Sequence, residues 1–203
     1  RFHPDPGVRD GTPHWLVFTL PMRTLVEQTF GVIEKWLANL GLRGVVGLYR
    51  AMGGEGRPDA GWRDDPAVDA IFVGTLDMLL SRALNRGYAE SRFVWPMDFG
   101  LFNSGCHWVF DEVQLMGPAL PTSRQLHGLR SLLGTALPTR STWMSATAAE
   151  DWMTTVDAPG IGSVVELAAE DRRGPLARRL DATKEVRRVD TGADPRRYQR
   201  ELA

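Results

Sequence analysis

The stretch HWVFDEVQLMG, residues 107–117, constrains the fold of this chain more than any other. Trp108, Val109 and Phe110 are a short apolar run of strand-forming residues, and the run stops at two adjacent carboxylates, Asp111 and Glu112. In an open parallel sheet, chemistry gathers just outside the carboxyl ends of the strands, so an acidic pair at the end of a buried strand points to a site. Thirty-four residues on, STWMSAT repeats the layout with a second short strand that ends in Ser145-Ala146-Thr147. Two polar strand ends can therefore meet at one edge. Taken singly, each has an ordinary reading, as a solvated strand end or as a turn or helix cap. Their order and spacing, with PMRTLVEQ upstream, are what single them out.

Around this feature the chain alternates between the two periodicities. A loop rich in Pro, Gly and Asp covers residues 1–13, and a strand follows over Trp15 to Leu20, ended by Pro21. Thr24 to Leu40 then carries Leu25, Val26, Phe30, Ile33, Leu37 and Leu40 at helical spacing, with Gly41 as a stop. The turn between them sets Arg23 and free backbone N–H groups at a helix start, which is either an ordinary strand–helix turn or a place for a phosphate. Further strands are expected over Gly44 to Tyr49 and Asp69 to Val73, separated by a loop whose Gly53 and Gly54 permit a turn. Thr75 is expected to cap a helix to about Leu84, with Asp77 in its first turn.

Residues 85–105 read as irregular, with Trp95, Phe99 and Phe102 packing the segment onto the domain. Leu120 to Leu137 contains a helix with Leu126, Leu129, Leu132 and Leu133 on one side. Val164 to Leu167 and Val186 to Val189 read as strands, and Pro195 to Ala203 as the start of a helix. Strands alternating with helices predict an α/β fold, a parallel sheet covered on both faces.

Composition narrows the class. At 43% hydrophobic and 24% charged residues, the chain is globular in type. It has no run of about 18 apolar residues to span a membrane. Cys106 is the single cysteine, so an internal disulfide and a multi-cysteine zinc site are excluded, and a reducing cytoplasm fits. The formal net charge of −1 argues against a uniformly basic nucleic-acid binder. Residues 171–200 are the basic part, with ten Arg or Lys against five Asp or Glu, either a solvated face or a DNA-facing edge.

The series LVFTLPMRTLVEQTF, MGGE, IFVGTLDMLLSRAL, WVFDEVQLMG and WMSATAAEDW resembles motifs Ia to III of a superfamily 2 helicase of the DEAD/DEAH-like kind. More narrowly, LNRGY, WPMDFG and DEVQLMGPALPTSRQL resemble the CRISPR-associated helicase-nuclease of type I systems. That resemblance implies a RecA-like fold of the P-loop NTPase type and an ATP-driven motor on single-stranded DNA. The motor would act in CRISPR interference beside the Cascade surveillance complex. It also implies roles. Asp111 would help hold the Mg²⁺ that bridges the β- and γ-phosphates of ATP, and Glu112 would be the general base toward water. Gln114 would sense the γ-phosphate. Ser145, Ala146 and Thr147 would couple the nucleotide state to the grip on DNA. Pro21, Arg23, Gly53, Gly54 and Thr75 would contact DNA.

One motif is missing: no G-x-x-x-x-G-K-[ST] occurs, so the phosphate cradle and its lysine are absent. The resemblance places that loop upstream of residue 1. Residues 1–155 are then expected to be a first RecA-like domain lacking its Walker A segment, and residues 156–203 the linker and start of a second. The chain alone is not expected to hydrolyse ATP. Two alternatives stay open, another superfamily 2 DNA translocase of restriction type and a catalytically dead nucleic-acid-binding module. A metal hydrolase built on His107, Asp111 and Glu112 is disfavoured, because four strand residues span about 13 Å and place His107 too far from Asp111 to share an ion.

Overall fold

Five strands form one sheet in which every pairing is parallel. The computed structural model describes residues 3–53, 61–88, 90–147 and 150–183. The strands are β1 (Trp15–Leu20), β2 (Gly47–Ala51), β3 (Ala70–Thr75), β4 (Cys106–Phe110) and β5 (Arg140–Trp143). Their order across the sheet is β2-β3-β1-β4-β5. This is the α/β parallel sheet with helices on both faces that the alternation predicts, and it is consistent with the RecA-like arrangement.

Strand alternation builds two cores. On one face Trp15, Val17, Phe72, Cys106, Trp108 and Phe110 are buried with Met78 and Leu79 of α3 (Leu76–Ala83), Phe102 of α4 (Trp95–Asn103) and Leu120 of α5 (Ala119–Leu133). On the other face Phe18, Leu20, Ile71 and Val73 pack against Val26, Ile33 and Leu37 of α2 (Arg23–Asn39). The first core is held by rings. Phe102 lies edge-on to Trp15, Trp62 and Phe72, with centroids 5.0–5.7 Å apart. The Trp108 indole N–H donates to the Phe102 carbonyl at 2.9 Å, so its polar atom is satisfied where it is fully buried.

Several boundaries move for physical reasons. Gly44 takes φ +80 in a turn, and the second strand starts only at Gly47, where pairing with Ala70 begins. Residues 95–103, expected to be irregular, form α4. Its sequence WPMDFGLFN is apolar on every side, and Pro96 at the first turn is compatible with a helix start. Phe102 is buried there as expected, whereas Phe99 is 44% exposed. Thr75 does occupy the N-cap of α3, but its side chain makes no capping hydrogen bond.

Arg1–Gly162 and Ser163–Ala203 are two compact units. The first also holds the short helices α1 (Pro6–Asp10) and α6 (Glu150–Met153). In the second, the described residues form a single 3-10 turn and α7 (Gly174–Leu180). Val164 to Leu167, expected to be a strand, has no regular structure, and Val164 and Val165 are exposed. The other two elements expected in the tail, at Val186 to Val189 and Pro195 to Ala203, lie outside the described residues.

Beneath the sheet's first face lies a buried charge cluster. Asp98 is wholly buried and receives two hydrogen bonds from Arg63, both at 2.7 Å, while Arg82 approaches it at 3.7 Å. Glu90 accepts from both arginines at 3.2 Å. Two acids and two bases from four separate stretches thus neutralise one another, Asp98 and Arg82 fully buried and Arg63 and Glu90 largely so.

Candidate functional site

Parallel register decides which residues share an edge. Leu20 pairs with Thr75, Thr19 with Phe110 and Phe110 with Trp143. The carboxyl ends of β1, β3, β4 and β5 therefore lie side by side; Thr75 is the last residue of β3, and Pro21, Asp111 and Ser145 follow their strands directly or within two residues. β2 joins the same edge, since Ala51 pairs with Gly74. Gly74 has to be glycine, because a Cβ there would run into the Ala51 carbonyl oxygen and press on Leu79.

At the end of β4 the backbone turns sharply. The Asp111 N–H donates to the Thr19 carbonyl at 3.1 Å, still in the ladder. Glu112 then takes φ 53 and ψ 51, a left-handed conformation uncommon outside glycine, and a 3-10 turn follows over Val113–Leu115. Its N–H donates to Asp111 Oδ1 at 2.9 Å, and the Val113 N–H donates to the Met144 carbonyl at 3.1 Å. That last bond ties the acidic turn to the end of β5.

The side chains continue the connection. Gln114 donates from Nε2 to Glu112 Oε2 at 2.5 Å, and its Oε1 accepts from the Ser145 hydroxyl at 2.7 Å. Ser145 Oγ in turn accepts from the Thr147 N–H at 3.0 Å. Glu112, Gln114, Ser145 and Thr147 thus form one chain of contacts across the two strand ends. Ala146 and the Thr147 side chain are exposed beside it. Gln114 thus bonds the ends of both strands.

Asp111 sits half-buried at the root of this turn. Desolvation by burial pushes its carboxyl above the ordinary value and the neighbouring Glu112 charge adds to this, while the Glu112 N–H opposes it. A carboxylate held in this state is stabilised by a nearby cation. Among the described residues no three His, Cys, Asp or Glu side chains gather into a metal cage. An ion at this edge would take Asp111 and complete its shell from water or from phosphate oxygens, the habit of Mg²⁺. His107 is not in reach of such an ion, since it bonds Thr142 of β5 at 2.9 Å. Burial, then Arg140, lowers its pKa, which favours the neutral imidazole.

The expected DNA-contacting residues are divided. Pro21, Arg23 and Thr75 lie at the edge, with Arg23 exposed as the first residue of α2. Gly53 lies two residues beyond β2; its φ is not positive and among the described residues nothing lies within 4 Å of a Cβ built there, so those residues do not require glycine at this position. Gly54 lies outside the described residues.

One structural support was not legible in the sequence. Arg124, buried on α5, donates from Nε to the Met153 carbonyl at 2.6 Å and also donates to the Gly160 carbonyl. Its guanidinium lies 4.5 Å from the ring of Trp143. One turn on, Gly128 admits the Asp157 carbonyl so closely that no Cβ could fit. The segment after Ser145 is thereby strapped across α5. An arginine four residues before a glycine inside a leucine-rich helix was the available signal. No protein-family model matches the chain, and no curated protein matches its sequence.

Proposed function

We propose that this chain is part of the first motor domain of an ATP-dependent helicase that moves along single-stranded DNA in CRISPR interference. The observation that carries the proposal is the contact chain Glu112–Gln114–Ser145, which joins the acidic strand end to the polar one at a single sheet edge. In this reading Asp111 holds the metal, and bound Mg²⁺-ATP supplies the scissile phosphoanhydride with its charge partly neutralised. Glu112 takes the proton of the attacking water, and its carboxylate is oriented by Gln114. Gln114 passes any shift of Glu112 to Ser145 and so to the segment after β5. Pro21, Arg23, Gly53, Gly54 and Thr75 form the track for the DNA backbone. The partners are single-stranded DNA and the Cascade complex, in a reducing cytoplasm. Among the described residues no helix is long and apolar enough to cross a membrane.

The test is ATP turnover by a parent protein that joins this chain to a phosphate-binding loop. Single-stranded DNA should stimulate it. Stimulation by duplex alone would replace the reading with a restriction-type translocase, and DNA binding without turnover would replace it with a catalytically dead module. Arg23→Ala should flatten the dependence of log affinity on log salt by about 0.7 for one lost phosphate contact, whatever the DNA sequence. Thr75→Ala, which removes a neutral donor, should leave that slope unchanged.

A further inference from the structure

Between α3 and α4 the loop over residues 84–94 turns two aromatic rings into solvent. Phe93 is 82% exposed and Tyr88 61% exposed, each far more than the aromatics that build the core. The described residues of the loop are nevertheless tied down. The Arg86 N–H donates to the Ser81 carbonyl at 2.9 Å and the Tyr88 N–H to the Ser81 hydroxyl at 3.1 Å. The Trp95 indole N–H is shared between the Gly87 and Glu90 carbonyls at 3.1 and 3.2 Å. Glu90 is drawn inward by Arg63 and Arg82, each at 3.2 Å. Two rings held out by a tethered loop lose little conformational freedom when something flat settles on them.

Charge limits what that is. The loop's one acid, Glu90, is spent in the buried cluster, so its exposed charges are Arg86 and Arg92. The Arg92 guanidinium already lies 5.5 Å from the Phe93 ring centroid. Planar rings interleaved with arginines suit a polymer that alternates planar bases with phosphates. We propose that this loop is a base-stacking platform for single-stranded nucleic acid, with Tyr88 and Phe93 taking bases and Arg86 and Arg92 taking phosphates. The platform deepens the reading of the chain as gripping single-stranded DNA, and it adds a contact separate from the carboxyl edge, since α3 carries the chain away from Thr75.

Fluorescence anisotropy of the 203-residue chain with labelled oligo-dT tests this, with an abasic strand of equal length as control. All four side chains are exposed, so the variants keep the fold. Phe93→Ala and Tyr88→Ala should each weaken oligo-dT binding about fivefold to hundredfold while leaving the salt slope unchanged. Their effect on the abasic strand should be small. Arg92→Ala should weaken both strands and flatten the slope by about 0.7. Unchanged oligo-dT affinity in Phe93→Ala, equal losses on the abasic strand, or no binding of oligo-dT by the chain would each overturn the platform. Loss in Arg23→Ala without loss in Phe93→Ala rejects the platform and keeps the edge track; the reverse rejects the track and keeps the platform. If the aromatic variants instead lost affinity only for an acidic peptide, the loop would be a protein-docking surface and the proposal would fall.

Discussion

Two groups of charges in this chain are handled in opposite ways. In the cluster of Arg63, Arg82, Glu90 and Asp98, two acids meet two bases, and Asp98 is wholly buried with its carboxylate gripped by Arg63. At the end of β4, Asp111 and Glu112 stand side by side, and among the described residues neither has a basic side chain in ion-pair contact. Asp111 is bonded by a backbone N–H and Glu112 by the neutral amide of Gln114. A fold that neutralises one set of carboxylates completely and leaves another with neutral donors alone has separated holding from acting. The first set orders the helices; the second, in the proposed reading, would face a metal ion through Asp111.

The sharpest break of this contrast is in the paired cluster. Asp98→Ala leaves two arginines without their buried acid, and removal of one partner from a buried pair costs about 3–5 kcal/mol. Melting should fall by roughly 6–20 °C, taking about 2–4 °C per kcal/mol for a chain of this size. A change of a degree or two would mean that the cluster is not what holds the loop, α3 and α4 together.

A smaller effect is expected at the strap. Arg124→Met keeps the bulk over Trp143 but removes the donors to the Met153 and Gly160 carbonyls. Leaving buried acceptors unsatisfied costs about 1–3 kcal/mol, readable as a shift in the urea midpoint. Amide exchange at Ala158, whose N–H bonds Thr155 within the strap, should quicken at the same time. An unchanged exchange rate would show that the strap stays in place without Arg124.

The smallest effect has the opposite sign. Asp111 is held above its ordinary value, chiefly by burial, so the folded chain binds its proton more readily than the unfolded one. Its ionisation therefore costs stability as pH rises from the unfolded value of about 3.9 through the raised folded value. Asp111→Asn removes that cost, and a small rise in Tm at neutral pH, absent at pH 3, is expected. A fall in Tm at neutral pH would make Asp111 a structural carboxylate like Asp98.

The sequence showed the frame of this edge and little of its support. β1 and β4 were legible because apolar runs ended at Pro21 and Asp111, which is local punctuation. Their sharing of one edge followed from the alternation of strands and helices. α4 was hidden because a helix apolar on every side has no stripe to read, and Val164 to Leu167 forms no strand because an apolar run without a partner strand among the described residues has no ladder to join. The ion cluster joins Arg63 to Asp98 across 35 positions, a link that no local pattern encodes. Gln114 was placed at the site by resemblance, but its two-sided contact with Glu112 and Ser145 depends on the left-handed turn at Glu112, which nothing in a glutamate announces.

In the proposed reading Glu112 at this edge is the base of a nucleotide-hydrolysing site. Glu112→Gln in the parent protein with its phosphate-binding loop keeps shape and volume while removing the base. DNA-stimulated ATP hydrolysis should fall about 10²- to 10⁴-fold, with binding of ATP and single-stranded DNA retained. Turnover close to that of the unaltered protein would contradict the account and leave Glu112 a turn residue bonded to Gln114.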